Sequence, residues 1–125
     1  MPSKREKRSP LQRIEDILEN IDCVRRFIGN YDFDGFVADT RTFYAVTRAL
    51  EIISEASRHL PDEVKDRSAH VDWRGIAAAG NVYRHSYDNV ETVLIWDVVT
   101  RDLEPLRAAM IAELRNLGGT WESTT

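Results

Sequence analysis

The chain reads as an all-α protein, an up-down four-helix bundle, and three observations predict it. Apolar residues recur at helical spacing through most of its 125 residues. Gly or Pro stands where three of these stretches stop, at Gly29, Pro61 and Gly118. No run of Val, Ile and aromatic residues alternates in the manner of a half-buried strand. An apolar content of 42% with 30% charge suits an ordinary soluble globular domain, and the length suits one core rather than two. The expected organisation is a basic flexible arm over 1–8, a helical domain over 9–117 and a flexible tail over 118–125.

Ser9-Pro10 opens the first helix, with Ser as N-cap and Pro at the first helical position. Leu11, Ile14, Ile17, Leu18, Ile21, Val24 and Ile28 share its apolar face, and Gly29-Asn30 closes it. The stretch 31–38 mixes aromatics with Asp and Gly and reads as a loop or one short helical turn. Its Tyr31, Phe33 and Phe36 need a cover, from the bundle or from a partner chain. Asp39 caps a second long helix with the stripe Phe43, Val46, Leu50, Ile53, Ala56 and Leu60, and Pro61 stops it.

Residues 61–71 read as a polar connection, and the third helix begins near Asp72-Trp73. Asp88 and Glu91 have the spacing of a capping box and open the last helix. Its stripe runs through Val90, Val93, Leu94, Val98, Leu103, Leu106, Met110, Leu114 and Leu117. Pro105 should kink that helix or split it after Asp102, and Gly118-Gly119 ends it. A short extra helix and a kinked last helix are thus the expected departures from a plain bundle.

Composition narrows the function. The single cysteine, Cys23, excludes an internal disulfide framework and a Cys-based zinc cluster, and reads as a small core residue. No apolar run approaches the ~20 residues of a membrane span. The basic N-terminus lacks the apolar region of a secretory signal, so a cytoplasmic location is expected. A net charge of −4 argues against broad nucleic-acid binding but not against a local basic site. Lys4, Arg5, Lys7 and Arg8 crowd the first residues, as a solvated arm or as a contact for phosphate.

The chemistry concentrates at 80–87, Gly-Asn-Val-Tyr-Arg-His-Ser-Tyr. On a helix, Asn81, Arg84 and His85 stand at i, i+3 and i+4 and share a face. Core-like positions given to Asn, Arg and His break the binary pattern, as functional sites do. His85 has the near-neutral pKa needed to move a proton to or from an RNA 2′-oxygen or a leaving 5′-oxygen. Arg84 suits a phosphate and the charge growing on it, and Asn81 suits the orienting of either. Equally, Arg84 and His85 can be a surface pair with Tyr83 and Tyr87 in the core. One histidine is half of most acid–base schemes, so a homodimer joining two such helices would complete the site.

Other candidates are weaker. Glu51 and Glu55, one turn apart, suit a metal or acid–base work, or a salt-bridged face with Arg48 and Arg58 in reach. His59 and His70 stand apart from other ligand types. No Gly-rich phosphate loop, nucleophile elbow, zinc helix or dinucleotide fingerprint is present, so neither cofactor nor metal is expected.

From Ser9 to about Leu117 the chain resembles the HepT-like (DUF86) branch of the HEPN superfamily. The resemblance is carried by Arg48-Ala-Leu-Glu51-Ile-Ile-Ser-Glu55-Ala, Leu60-Pro61, Asp72-Trp73-Arg74-Gly75-Ile76, Gly80-Asn81 with His85 and Tyr87, and Val90 through Leu106. It implies an all-α bundle that dimerises and acts as the RNA-cleaving toxin of a type II/VII-like toxin–antitoxin pair. The implied partner is a minimal nucleotidyltransferase antitoxin.

The family motif is Arg, four residues, His, one residue, Tyr, with Asn commonly after the Arg. Arg and His form the catalytic pair, and the Tyr receives AMP from the antitoxin. Asn81, His85 and Tyr87 match, but the Arg position is Gly80. Two readings follow. Arg84, one turn further along, replaces the missing arginine; or the nuclease is lost and a helical module that binds a nucleotidyltransferase or a nucleotide remains.

Overall fold

The computed structural model describes residues 8–85 and 89–122, except the side chains of 82–91. The described chain is helical, with no strand. Its helices are α1 (Pro10–Ile28), α2 (Phe33–Ala38), α3 (Thr40–Arg58), α4 (Asp62–Arg67), α5 (Trp73–His85), α6 (Asn89–Asp97) and α7 (Leu103–Asn116), with a π-helical turn at Val98–Asp102. The long helices pack in the order α7, α1, α3, α5, and α6 with the π turn returns to α5. That ring is the expected four-helix bundle.

Local chemistry sets the ends. Ser9 Oγ accepts from the Gln12 amide while the Gln12 side chain accepts from the Ser9 amide, a reciprocal capping box. Asp39 caps α3 through the Thr42 amide. At the end of α7, Gly118 takes φ +85°. The Gly119 and Gly118 amides donate to the Leu114 and Arg115 carbonyls, a Schellman closure.

The core fills as the periodicity predicts, with Ile14, Ile17, Leu18 and Ile21 of α1 against Val46, Leu50 and Ile53 of α3 and Leu106, Met110 and Leu114 of α7. The bundle covers two of the spare aromatics. Phe36 is fully buried and tilts against Trp96 at 5.2 Å between ring centroids, and Phe33 meets the same indole edge-on.

Two details differ from expectation. The polar connection contains α4, because Val64 buries between the buried Leu60 and Val71. The last helix splits after Asp102, as expected, where the π turn ends and α7 begins, with Pro105 in the first turn of α7, where a missing N–H costs nothing. Val93 and Leu94 are about half exposed rather than in the core stripe; among the described side chains of α6, Ile95 is the one turned fully inward. The capping box expected at Asp88 lies outside the described residues.

Buried polar groups lock the helices together. Asp22 of α1, 3% exposed, accepts from Arg107 Nε and Trp121 Nε1, both at 2.9 Å. Burial pushes its carboxyl up, but the hydrogen bonds from Arg107 and Trp121 and the nearby Arg107 and Arg25 charges prevail and hold it below the usual carboxylate range. Trp121, placed by the sequence in a flexible tail, is therefore docked. Glu113 of α7 takes a two-pronged contact from Arg67 of α4, 2.9 and 2.8 Å, which lowers its pKa against the opposing effect of burial.

Candidate active site

Helix α5 starts at Trp73 because Asp72 caps it, its carboxylate accepting from the Gly75 amide at 3.0 Å. Trp73 anchors the start by donating from its indole to the Ser68 carbonyl. Ile76 then buries, and the hydroxyl of Ser54 on α3 donates to the Ile76 carbonyl at 2.6 Å. Arg58, also on α3, donates to the Ala77 carbonyl. These two bonds draw α5 tightly onto α3.

The consequence falls on Gly80. It is buried, and a Cβ built on it would lie 2.6 Å from Cβ and Oγ of Ser54 and 3.3 Å from the Glu51 Cα. Position 80, which the resemblance sets against the motif arginine, is thus a close contact point of α5 with α3, where a side chain would force its neighbours to shift.

Next to it, exposed Asn81 lines a groove of about 660 Å³. Its floor is α3, with Arg48, Glu51, Ile52 and Glu55. Arg13, Asp16 and Asn20 of α1 form one wall and Gly80 and Asn81 of α5 the other, with Arg8 and Arg58 also lining it. Three of its four arginines are neutralised within it: Arg8 by Asp16 at 2.9 Å, Arg48 by Glu51 at 2.7 Å and Arg58 by Glu55 at 2.8 Å. Glu51 and Glu55 are therefore salt-bridged, with His59 Nδ1 on the Glu55 carbonyl. Among the described residues no three His, Cys, Asp or Glu side chains converge as a metal-binding group.

Of the three residues expected to carry the chemistry, Asn81, Arg84 and His85, Asn81 lines this groove. Arg84 and His85 belong to the last turn of α5, in unbroken helix after Asn81, with side chains outside the described residues. Tyr87 lies outside them altogether, as do Lys4, Arg5 and Lys7. The α1 wall, and Arg13 in particular, was not found from the sequence. The one signal available was a cation near the start of a helix whose first turn holds no acidic residue.

A family model described as Ribonuclease HepT-like matches residues 17–113. The chain is 36% identical over 101 residues to "Probable ribonuclease HepT" of Thermococcus cleftensis, which covers 81% of this chain and 92% of that one. It is 33% identical over 92 residues to "Putative RNase MJ1380" of Methanocaldococcus jannaschii, 74% of this chain and 84% of that one. A second protein of that organism, "Putative RNase MJ0127", is 37% identical over 84 residues, 67% and 69% of the two chains. No solved structure matches.

Proposed function

The chain belongs to the HepT-like ribonuclease family, and from that premise we propose that it is a metal-independent RNA endonuclease. The RNA 2′-oxygen attacks the adjacent phosphorus, the bond to the 5′-oxygen breaks, and a 2′,3′-cyclic phosphate and a 5′-hydroxyl result. His85 moves the proton, Arg84 holds the phosphate and its growing charge, and Asn81 orients the group beside it. The observation that carries this reading is the continuity of α5 from Trp73 to His85. It keeps Asn81, which lines the groove, in i, i+3, i+4 register with Arg84 and His85 along one helix.

In the same reading the protein is the toxin of a type II/VII-like toxin–antitoxin pair in the cytoplasm. A minimal nucleotidyltransferase antitoxin silences it by placing AMP on Tyr87, adding bulk and negative charge where RNA enters. The protein works as a homodimer, which supplies a second histidine and covers the outward face of α6, where Val93 and Leu94 stand exposed. Among the described residues no helix is long and apolar enough to cross a membrane.

A second reading is favoured by Gly80. With glycine at the motif-arginine position, the protein is a silent helical module that binds a nucleotidyltransferase or a nucleotide. Cleavage of bulk tRNA and mRNA in EDTA by wild type, His85→Ala and Arg84→Ala decides between them. Loss in both variants, with helical content unchanged, is the expected result. No cleavage by wild type, purified free of antitoxin and with Tyr87 unmodified by mass spectrometry, establishes the binding module instead.

A further inference from the structure

We propose that Arg13, on the α1 wall of the groove, is a phosphate-anchoring residue for RNA, and that the groove across α3 is the track the strand follows. The inference rests on the ribonuclease reading and adds to it a binding residue from outside α5.

Arg13 differs from the other arginines around it. Arg8, Arg48 and Arg58 each carry a carboxylate partner at 2.9 Å or less. Arg13 has no hydrogen bond or ion pair among the described residues, and its Nε is sealed from solvent without an acceptor. An unpaired donor of this kind on a charged group is costly, and native structures rarely keep one without use. Local helix energetics do not explain it either. Arg13 lies near the start of α1, where the macrodipole favours anions and disfavours a cation.

Its placement gives the charge a purpose. The groove that Arg13 lines also holds Gly80 and Asn81, which precede His85 on α5 by five and four residues. Since α3 occupies the place next to Gly80, position 80 itself extends no side chain into the groove. The opposite wall does. Glu19 on the same wall balances the formal charge of the lining, but among the described lining arginines Arg13 is the one without a carboxylate in ion-pair contact, and a phosphate entering the groove gives its guanidinium an acceptor. Arginine's planar fork suits a phosphate oxygen pair.

The test is equilibrium binding of a short fluorescein-labelled 2′-O-methyl RNA, which cannot be cleaved through its 2′-position, across a series of salt concentrations. Wild type, Arg13→Gln, Arg13→Met, Arg13→Lys and the distant control Arg101→Gln are compared, with cleavage of unmodified RNA measured in parallel. Each phosphate contact on a single strand contributes about 0.7 to the slope of log affinity against log salt. Arg13→Gln and Arg13→Met should lose that contribution, so the wild-type advantage shrinks about fivefold per tenfold rise in salt. Arg13→Lys should restore the slope and Arg101→Gln should leave it unchanged. In cleavage, KM should rise with kcat retained.

Arg13→Met keeps the packing of the side-chain stem, so loss in both neutral variants reports charge and not folding. A wild-type slope in both neutral variants, with wild-type cleavage intact, overturns the role of Arg13 and leaves the nuclease reading standing. A wild type that binds but does not cleave still lets the slope decide. A wild type that neither binds nor cleaves removes both.

Discussion

Gly80 and Ser54 are in contact across α5 and α3 at a distance that leaves no room for a side chain: a Cβ on Gly80 would stand 2.6 Å from Cβ and Oγ of Ser54. The Ser54 hydroxyl meanwhile holds the Ile76 carbonyl one turn earlier. Glycine here is thus part of the packing of the helix that carries the candidate site.

Gly80→Ala should therefore destabilise the protein, although alanine is the better helix former by about 1 kcal/mol. Overpacking of this kind costs about 1–3 kcal/mol, and the rigid α3 backbone beside it favours the upper part of that range. Ser54→Gly removes the obstructing Cβ, so the double variant should recover part of the loss. Thermal melts of the four proteins in the cycle measure the coupling; strictly additive effects would contradict the contact.

Asn81 is exposed at the groove edge, so Asn81→Ala should leave the melting temperature within the range of ordinary surface changes. If it orients the reacting group, cleavage should slow by about a hundredfold, the usual cost of one preorganised donor. Steady-state cleavage with kcat and KM separated checks this.

Asp22 makes stability depend on acid. Against the upward push of burial, the hydrogen bonds from Arg107 and Trp121 hold its carboxyl below the usual carboxylate range in the folded protein, so the unfolded chain binds the proton more tightly. The stabilisation is complete above the unfolded value and is lost as pH falls from about 4 through the folded one. Glu113 acts in the same direction. Melts from neutral pH down to about pH 2 should show this loss, with a shallower slope in Asp22→Asn. Asp22→Ala, which strands Arg107 in a largely buried position, should cost about 3 kcal/mol at neutral pH.

Leu94→Glu tests the homodimer. Leu94 is 49% exposed on α6, so a charge there costs the single chain little. Sedimentation should show a dimer for wild type and a monomer for the variant, with RNA cleavage falling alongside. A wild-type monomer at working concentration would remove the dimer from the proposal.

The sequence by itself determined the bundle. Helix ends are local events, decided by residues three or four apart such as Ser9 with Gln12 or Asp39 with Thr42, and an amphipathic stripe declares which face of a helix goes inward. It also placed Asn81, Arg84 and His85 on one helix and carried the family. What it left undecided is what depends on two helices at once. The burial of Val64 that makes α4 a helix, the docking of Trp121 on Asp22 and the exposure of Val93 and Leu94 follow from neighbours distant in the chain. The same holds at the site. Gly80 reads as a missing arginine in the sequence and as a point of helix contact in the fold. Arg13, 68 positions from Asn81, joins its groove only because α1 and α5 both pack on α3. Spacing along a chain reports one helix face, and a groove is made by the faces of three.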